Sequence, residues 1–98
     1  MDQSQGGPTW SEDDYAACLQ DERRRFTWVM RQHGGLTLAA AEEAALQRYP
    51  YEADGMPHRG MIFHDEAWHW AMLKIYGGNY TIDHPELAMP SADYRTLD

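Results

Sequence analysis

Apolar side chains recur every three or four residues in the first third of the chain, which is the period of one helix face. The repeating positions are Tyr15, Leu19, Phe26, Val29 and Met30. Ser11 stands just before them as a candidate cap, and three acidic residues follow it, where carboxylates interact favourably with the helix dipole. Gly34-Gly35 supplies a stop. The pattern predicts a helix over residues 11–33.

A second helix is predicted over residues 37–49. Thr37 stands at its start as a cap, five alanines give the segment a high helix propensity, and Pro50 ends it. Proline and glycine then recur through residues 50–63. No regular element tolerates that spacing for long, so this stretch is predicted to be a loop.

The third predicted helix, residues 65–76, carries apolar side chains on two faces. One stripe has the spacing of a buried helix face, and its members are Trp68, Ala71, Met72, Ile75 and Tyr76. At about 100° per residue, Trp70 and Leu73 fall on the opposite side. A chain with three substantial helices can cover only one face, so the Trp70–Leu73 face is expected to pack under the tail or to meet another subunit.

The two ends of the chain show no sustained period. Residues 1–10 are predicted to form a flexible arm, and residues 79–98 an extended tail. The sequence therefore predicts an all-α fold, a small three-helix domain over residues 11–78 with an arm and a tail. Its 98 residues allow one domain. A domain of this size buries only about 60–65% of the surface that its unfolded chain exposes, so a partner could be part of its stability.

Charge and cysteine content exclude several classes of partner. Sixteen acidic and eight basic residues give a net charge of −8, which repels phosphates and anionic lipids, so neither nucleic acid nor membrane is expected. Cys18 is the only cysteine, so an internal disulfide and a Cys-x-x-Cys metal site are excluded. The first residues lack the basic start and apolar run of a signal peptide. We therefore expect a cytoplasmic protein.

No complete catalytic or metal site can be assembled from the candidate residues of this sequence. Glu66 and His69 have the i, i+3 spacing of carboxylate-bridged di-iron bundles, but the second pair could come only from a symmetric dimer. The alternative is an acidic first turn with a half-exposed histidine. His58, His64 and His84 lie in or beside loops and could gather around a metal, although scattered histidines are usually surface residues. We expect no enzyme that works alone.

Three stretches, in this order, resemble the helical domain of nitrile hydratase β subunits. The first is ERRRFTWVMRQHGGLT at residues 22–37, the second is a glutamate-bearing helix that ends in RYP at residues 48–50, and the third is FHDEAWHWAML at residues 63–73. The accessory proteins of that system share the pattern, as do the split β-like subunits of thiocyanate hydrolase and toyocamycin nitrile hydratase. The resemblance covers roughly residues 20–77.

The resemblance implies that the metal belongs to another chain. In that family a non-corrin cobalt or a non-haem iron is held by a Cys-rich loop of the α subunit, a loop absent here, so no cofactor is expected on this chain. The β subunit packs over the α subunit and uses arginines to hydrogen-bond the oxidised cysteine ligands. One such arginine is expected where this chain has Glu42, and Arg48 or Arg59 could substitute for it. The carboxy-terminal β-barrel of a full β subunit has no counterpart in this sequence, as expected of a split subunit or an accessory protein.

Resemblance and two-faced helix together indicate a non-catalytic β-like subunit of a hetero-oligomeric nitrile hydratase or thiocyanate hydrolase-type lyase. Its expected partners are an α-like metal-binding subunit and another β-like fragment. The partner's metal-bound water or hydroxide would then be the nucleophile that converts a nitrile to an amide. The residues expected at the interface are Trp28, Trp68, Trp70, Leu73 and Tyr76.

Two alternatives stay open. One is an accessory protein that delivers metal to the α subunit, with candidate transient ligands at His58, His64, Glu66 and His69. The other is a free-standing acidic interaction module, such as an immunity protein, for which acidity and exposed aromatic side chains would suffice.

Overall fold

The computed structural model describes residues 10–97, and within them it contains five α-helices and no β-strand, which confirms the all-α class. The helices are α1 (Glu12–Gly34), α2 (Leu38–Arg48), α3 (Ala67–Tyr76), α4 (Tyr80–Asp83) and α5 (Ala92–Arg95). Short 3-10 turns at Met61–His64 and Pro85–Leu87 precede α3 and α5. None of the helices in this part of the chain is long and apolar enough to cross a membrane.

The ends of α1 and α2 lie at the cap residues that the sequence nominated. The Ser11 hydroxyl accepts a hydrogen bond from the backbone N–H of Asp14 at 3.1 Å, and Thr37 has the same role at the start of α2. Gly35 ends α1 in the left-handed conformation, with φ 70°. α3 begins two residues later than predicted, because Asp65 still has an extended backbone.

The first helix is the centre of the domain. Both α2 and α3 pack against α1, whereas they hardly touch one another. Arg23, midway along α1, donates hydrogen bonds of 2.9 and 2.6 Å to the carbonyl of Tyr49 at the end of α2, so α2 runs back along α1. Gly34 at the end of α1 lies against Ile75 at the end of α3, so α3 runs in the same direction as α1. This layout leaves an open space between α2 and α3.

The core lies where α1 meets the other elements. All five apolar positions that the sequence places on one face of α1 are buried. The other buried core residues include four aromatic side chains and four alanines. One of these aromatic side chains, Tyr49, packs edge-on against Phe26 with ring centroids 5.9 Å apart. The largest fully buried side chains are Trp68, Tyr15, Tyr49, Phe26, Met72 and Val29.

The tail is not extended, as the sequence pattern suggested, but folds into α4, α5 and a 3-10 turn. Tyr80 and Tyr94 are both 3% exposed, so the tail closes the core. The ring of Tyr94 packs edge-on against Trp68 at 5.5 Å, and the carbonyl of Leu87 accepts a hydrogen bond from the Trp68 indole at 2.9 Å. Helices of a single turn leave no apolar period, so the sequence pattern could not reveal them.

Residues 1–9 of the predicted arm, and residue 98 of the predicted tail, lie outside the described part of the chain. Trp10 is described, and it belongs to the domain. Its ring packs edge-on against Phe63 and Tyr15, with centroids 5.6 and 6.4 Å apart.

The loop between α2 and α3 is fastened to α1 by Arg59. Its guanidinium lies 3.9 Å from the ring centroid of Tyr15 and pairs with the Glu12 carboxylate at 2.6 Å. Its Nε donates a hydrogen bond of 2.8 Å to the carbonyl of Glu52. Since only 7% of the Arg59 side chain is exposed, this contact is a fixed part of the fold.

The Glu12 contact predicts a pH-dependent stability. Hydrogen bonds from Tyr51 and Arg59 lower the pKa of Glu12. A carboxyl with a lowered folded-state pKa stabilises the protein above its unfolded-state pKa, and that stabilisation is lost as the pH falls through the folded value. We expect Glu12→Gln to lower the urea midpoint at neutral pH, and the difference from wild type to shrink below about pH 4.5, the ordinary pKa of glutamate. Urea titrations followed by circular dichroism across this range measure the effect.

Glu22 provides a control of opposite sign. Burial, together with the neighbouring charge of Asp21, raises the pKa of Glu22. Its ionised form therefore costs stability as the pH rises, and Glu22→Gln is expected to raise the urea midpoint at neutral pH and to have no effect in acid. If the Glu12→Gln difference were the same at every pH, the ion pair with Arg59 would not be its source.

Candidate functional site

A groove of about 410 Å³ lies between α2 and α3. Side chains of three helices line it: Phe26 from α1, Ala44, Gln47 and Arg48 from α2, and Trp70, Leu73 and Lys74 from α3. Ala44 and Arg48 are four residues apart on α2, as Trp70 and Lys74 are on α3, so each pair lies on one face of its helix. We call this space the α2–α3 groove.

The indole of Trp70 and the guanidinium of Arg48 meet across the groove. The guanidinium carbon lies 4.7 Å from the centroid of the Trp70 ring, which is a cation–π contact. The indole N–H donates a hydrogen bond of 3.1 Å to the carbonyl of Ile62. The polar edge of the half-buried Trp70 is therefore satisfied by the loop, while its ring helps to form the wall of the groove.

The groove is cationic, although the whole chain carries a charge of −8. Arg48 and Lys74 stand on its two walls, and none of the residues 10–97 that line it is acidic. Among the described residues, no carboxylate lies within ion-pair distance of either cation. Glu43 lies beside the groove, where it accepts a hydrogen bond of 3.3 Å from the amide of Gln47.

A second groove, of about 500 Å³, lies on the other side of α2 against α1. Leu38 and Leu46 contribute to it and are 48% and 50% exposed. Its arginines already have partners, since Arg24 pairs with Asp21 at 2.7 Å and Arg23 binds the end of α2. Glu42, at the position where the resemblance suggests an arginine, lies in this second groove and not in the α2–α3 groove.

Trp70 and Leu73 are the only two of the five predicted interface residues that line the α2–α3 groove. Trp68 lies elsewhere, inside the domain. This side chain is 2% exposed, because it belongs to the core stripe of α3 that the tail covers.

The other two predicted interface residues lie near the tail. Trp28 is half-buried and packs edge-on against Tyr94 of α5, with centroids 6.5 Å apart. Tyr76 is 38% exposed and packs against His84, with ring centroids 4.6 Å apart.

The structure separates the two arginines nominated for an active-site contact. Arg48 is exposed and stands in the α2–α3 groove. Arg59 is held by Glu12, Tyr15 and Glu52, so its guanidinium is committed to the fold and is not presented to a partner.

The candidate metal ligands are scattered. His58 and His64 are exposed in the loop and in the following 3-10 turn, and Glu66 is the exposed residue before α3. His69 is half-buried, with its Nδ1 2.8 Å from the Tyr80 hydroxyl. Within the described part of the chain, no three histidine, cysteine, aspartate or glutamate side chains converge as metal ligands would.

Cys18 is half-buried within α1. Burial and the nearby Glu22 carboxylate raise the pKa of its thiol. A raised pKa keeps the thiol protonated at neutral pH, which is unfavourable for a nucleophile.

Lys74, Gln47 and Phe26 are groove residues that the sequence does not single out. The spacing of Lys74, one turn after Trp70, places both on one face and is a usable signal. Phe26 has no such signal, because the helix pattern assigns it to the core, where it is indeed 1% exposed.

Comparisons of the chain with protein-family models, with curated proteins and with solved structures find no match.

Proposed function

We propose that this chain is a non-catalytic, β-like helical subunit of a hetero-oligomeric nitrile hydratase or thiocyanate hydrolase-type enzyme, and that it docks on a metal-bearing α-like subunit through the α2–α3 groove. The observation that carries the proposal is the exposed second apolar face of α3. Trp70 and Leu73 still line an open groove although the tail has folded against the domain, and Arg48 lies over the same Trp70 ring.

The two-faced character of α3 supports a docking role. Its second apolar face can be buried from solvent only by the tail or by a partner. The tail covers Trp68 instead, and no tail residue within the described part of the chain lines the α2–α3 groove. Tryptophan and arginine are also the residue types that contribute most to binding energy at protein interfaces.

The chemistry is assigned to the partner. Cobalt or iron would be held by the Cys-rich loop of the α-like subunit, as the resemblance implies, and would activate water there as the nucleophile. This chain would contribute surface and one candidate contact, the Arg48 guanidinium, which can donate hydrogen bonds to oxidised cysteine ligands.

Co-purification with a Cys-rich α-like subunit tests the docking surface. Wild type is expected to form a stable complex, and Trp70→Ala to weaken it at least about 30-fold, since truncation of a central interface tryptophan costs about 2–4 kcal/mol. Trp28→Ala is the matched variant, because it removes the same side chain from the tail side of the domain. Docking through the α2–α3 groove alone is expected to leave this complex intact, whereas a weakened complex would place Trp28 in the interface as well. Thermal melts of both variants establish that they are folded.

Activity measurements separate the proposal from its alternatives. If nitrile hydration requires this chain in stoichiometric amounts, it is a subunit. If activity persists after the chain is removed, it is an accessory protein. Should the chain stay monomeric while the α-like subunit gains full metal and activity without it, both hydratase proposals fail and a free-standing acidic interaction module is left.

A further inference from the structure

The α2–α3 groove is an open cleft between two helices. Its two walls are helices that pack on α1 and hardly touch each other, and Phe26 of α1 contributes to its lining between them. A helix docked along the mouth of this groove would contact both α2 and α3, which is the helix-in-groove mode of recognition. The lining combines apolar surface from Trp70 and Leu73 with polar side chains, and Phe26 lies buried behind them.

The charges on the walls specify which kind of helix would bind. Arg48 on α2 and Lys74 on α3 have no carboxylate within ion-pair distance among the described residues, and the lining itself contains none. The groove on the other side of α2 differs, because Arg24 is paired with Asp21 and Glu42 is part of the lining. Of these two grooves, it is therefore the α2–α3 groove whose cationic side chains can pair with the carboxylates of a ligand.

We propose that the α2–α3 groove binds an acidic amphipathic helix of a partner protein. Aliphatic side chains of that helix pack against Trp70 and Leu73, and carboxylates on either side of its apolar stripe pair with Arg48 and Lys74. A second copy of this chain is the competing occupant, and sedimentation distinguishes it from a partner helix. The inference rests on the docking role proposed above and names the kind of segment that docks.

Two synthetic peptides of about 18 residues test this inference, a length that gives roughly five helical turns. Both have the same leucine stripe at i, i+3, i+4 and i+7, and they differ only in carrying glutamate or lysine at the flanking positions. Each is titrated into isotope-labelled protein while the Trp70 indole resonance, assigned by its absence in Trp70→Phe, is followed by NMR. The glutamate peptide is expected to shift this resonance and to bind about tenfold more tightly than the lysine peptide, because two ion pairs replace two repulsions.

Charge reversal supplies the matched variants. In the double variant Arg48→Glu with Lys74→Glu, the preference is expected to invert, so that the lysine peptide binds more tightly. Arg31→Glu with Arg95→Glu changes the net charge by the same amount at exposed positions outside the groove, and should keep the wild-type preference.

Several results would overturn the inference: equal binding of the two peptides, no binding of either, or shifts centred on Leu38 and Leu46 of the second groove. Sedimentation showing a wild-type dimer that Trp70→Ala dissociates would assign the groove to a second copy instead. The peptides need no hydratase subunit, so a failure here leaves the co-purification and activity results standing. Equally, an absence of hydratase activity would leave a measured peptide preference intact.

Discussion

Replacement of Trp68 by alanine is expected to lower the free energy of unfolding by about 3–5 kcal/mol, the usual cost of removing a buried tryptophan. The side chain is 2% exposed, and its indole N–H holds the carbonyl of Leu87 at 2.9 Å. The substitution therefore opens a cavity beside α1 and also releases the tail. A domain of this length has a total stability of only about 5–15 kcal/mol, so the loss is a large share of it.

Two comparisons identify the source of that loss. Trp68→Phe keeps a ring in the core but removes the hydrogen bond to Leu87, and is expected to cost about 1–3 kcal/mol. Trp70→Ala truncates a half-buried tryptophan on the opposite face of α3 and should cost less than Trp68→Ala. Urea unfolding followed by tryptophan fluorescence and circular dichroism gives all three values. If Trp68→Ala cost no more than Trp70→Ala, the tail would not be packed on Trp68.

Substitution of Gly60 by alanine has the second largest expected effect, about 2–4 kcal/mol of destabilisation. Gly60 has φ 81°, where an L side chain is strained by about 1–2 kcal/mol, and a Cβ at this position would collide with the indole of Trp10. Gly55→Ala is the control, because Gly55 has φ 89° but no atom within 4 Å of the added methyl group. Gly55→Ala should therefore lose only the free energy that corresponds to the backbone strain.

A double-mutant cycle isolates the collision with Trp10. In a Trp10→Ala background, Gly60→Ala is expected to cost no more than Gly55→Ala does, because the indole is gone. Equal costs for Gly60→Ala and Gly55→Ala in the wild-type background would mean that Trp10 does not lie over the loop. Equilibrium unfolding in urea measures each corner of the cycle.

Local signals predicted the three long helices well. Ser11 and Thr37 cap α1 and α2 as their chemistry requires, and Gly35 ends α1. Each of these signals depends only on residues within one or two helical turns, so it can be read from the local sequence. The start of α3 is less well predicted, because Asp65 and Glu66 could be either a first turn or the residues before it.

Contacts between distant residues were beyond the sequence. Tyr80 and Tyr94 are buried because they pack on the apolar surface formed by Trp68 and its neighbours. The local sequence of the tail gives no indication of that surface. The same limit applies to Arg59, whose partners Glu12 and Tyr15 lie more than forty residues earlier in the chain.

The candidate site was predicted in parts. The helical period of α3 places Trp70 and Leu73 on a second face, and the resemblance nominates Arg48. That these three side chains line one groove depends on how α2 and α3 each pack on α1. The apolar period of each helix does not reveal how the two helices are arranged relative to each other.

The most direct test of the docking role is a titration of this chain into a metal-loaded α-like subunit while nitrile hydration is measured. We expect activity to rise to a sharp end point at a fixed ratio of the two chains. The Arg31→Glu, Arg95→Glu variant should reach the same end point, whereas Trp70→Ala should fail to reach it at equal concentration. Full activity before any of this chain is added, or an unchanged end point with Trp70→Ala, would contradict a docking role for this chain.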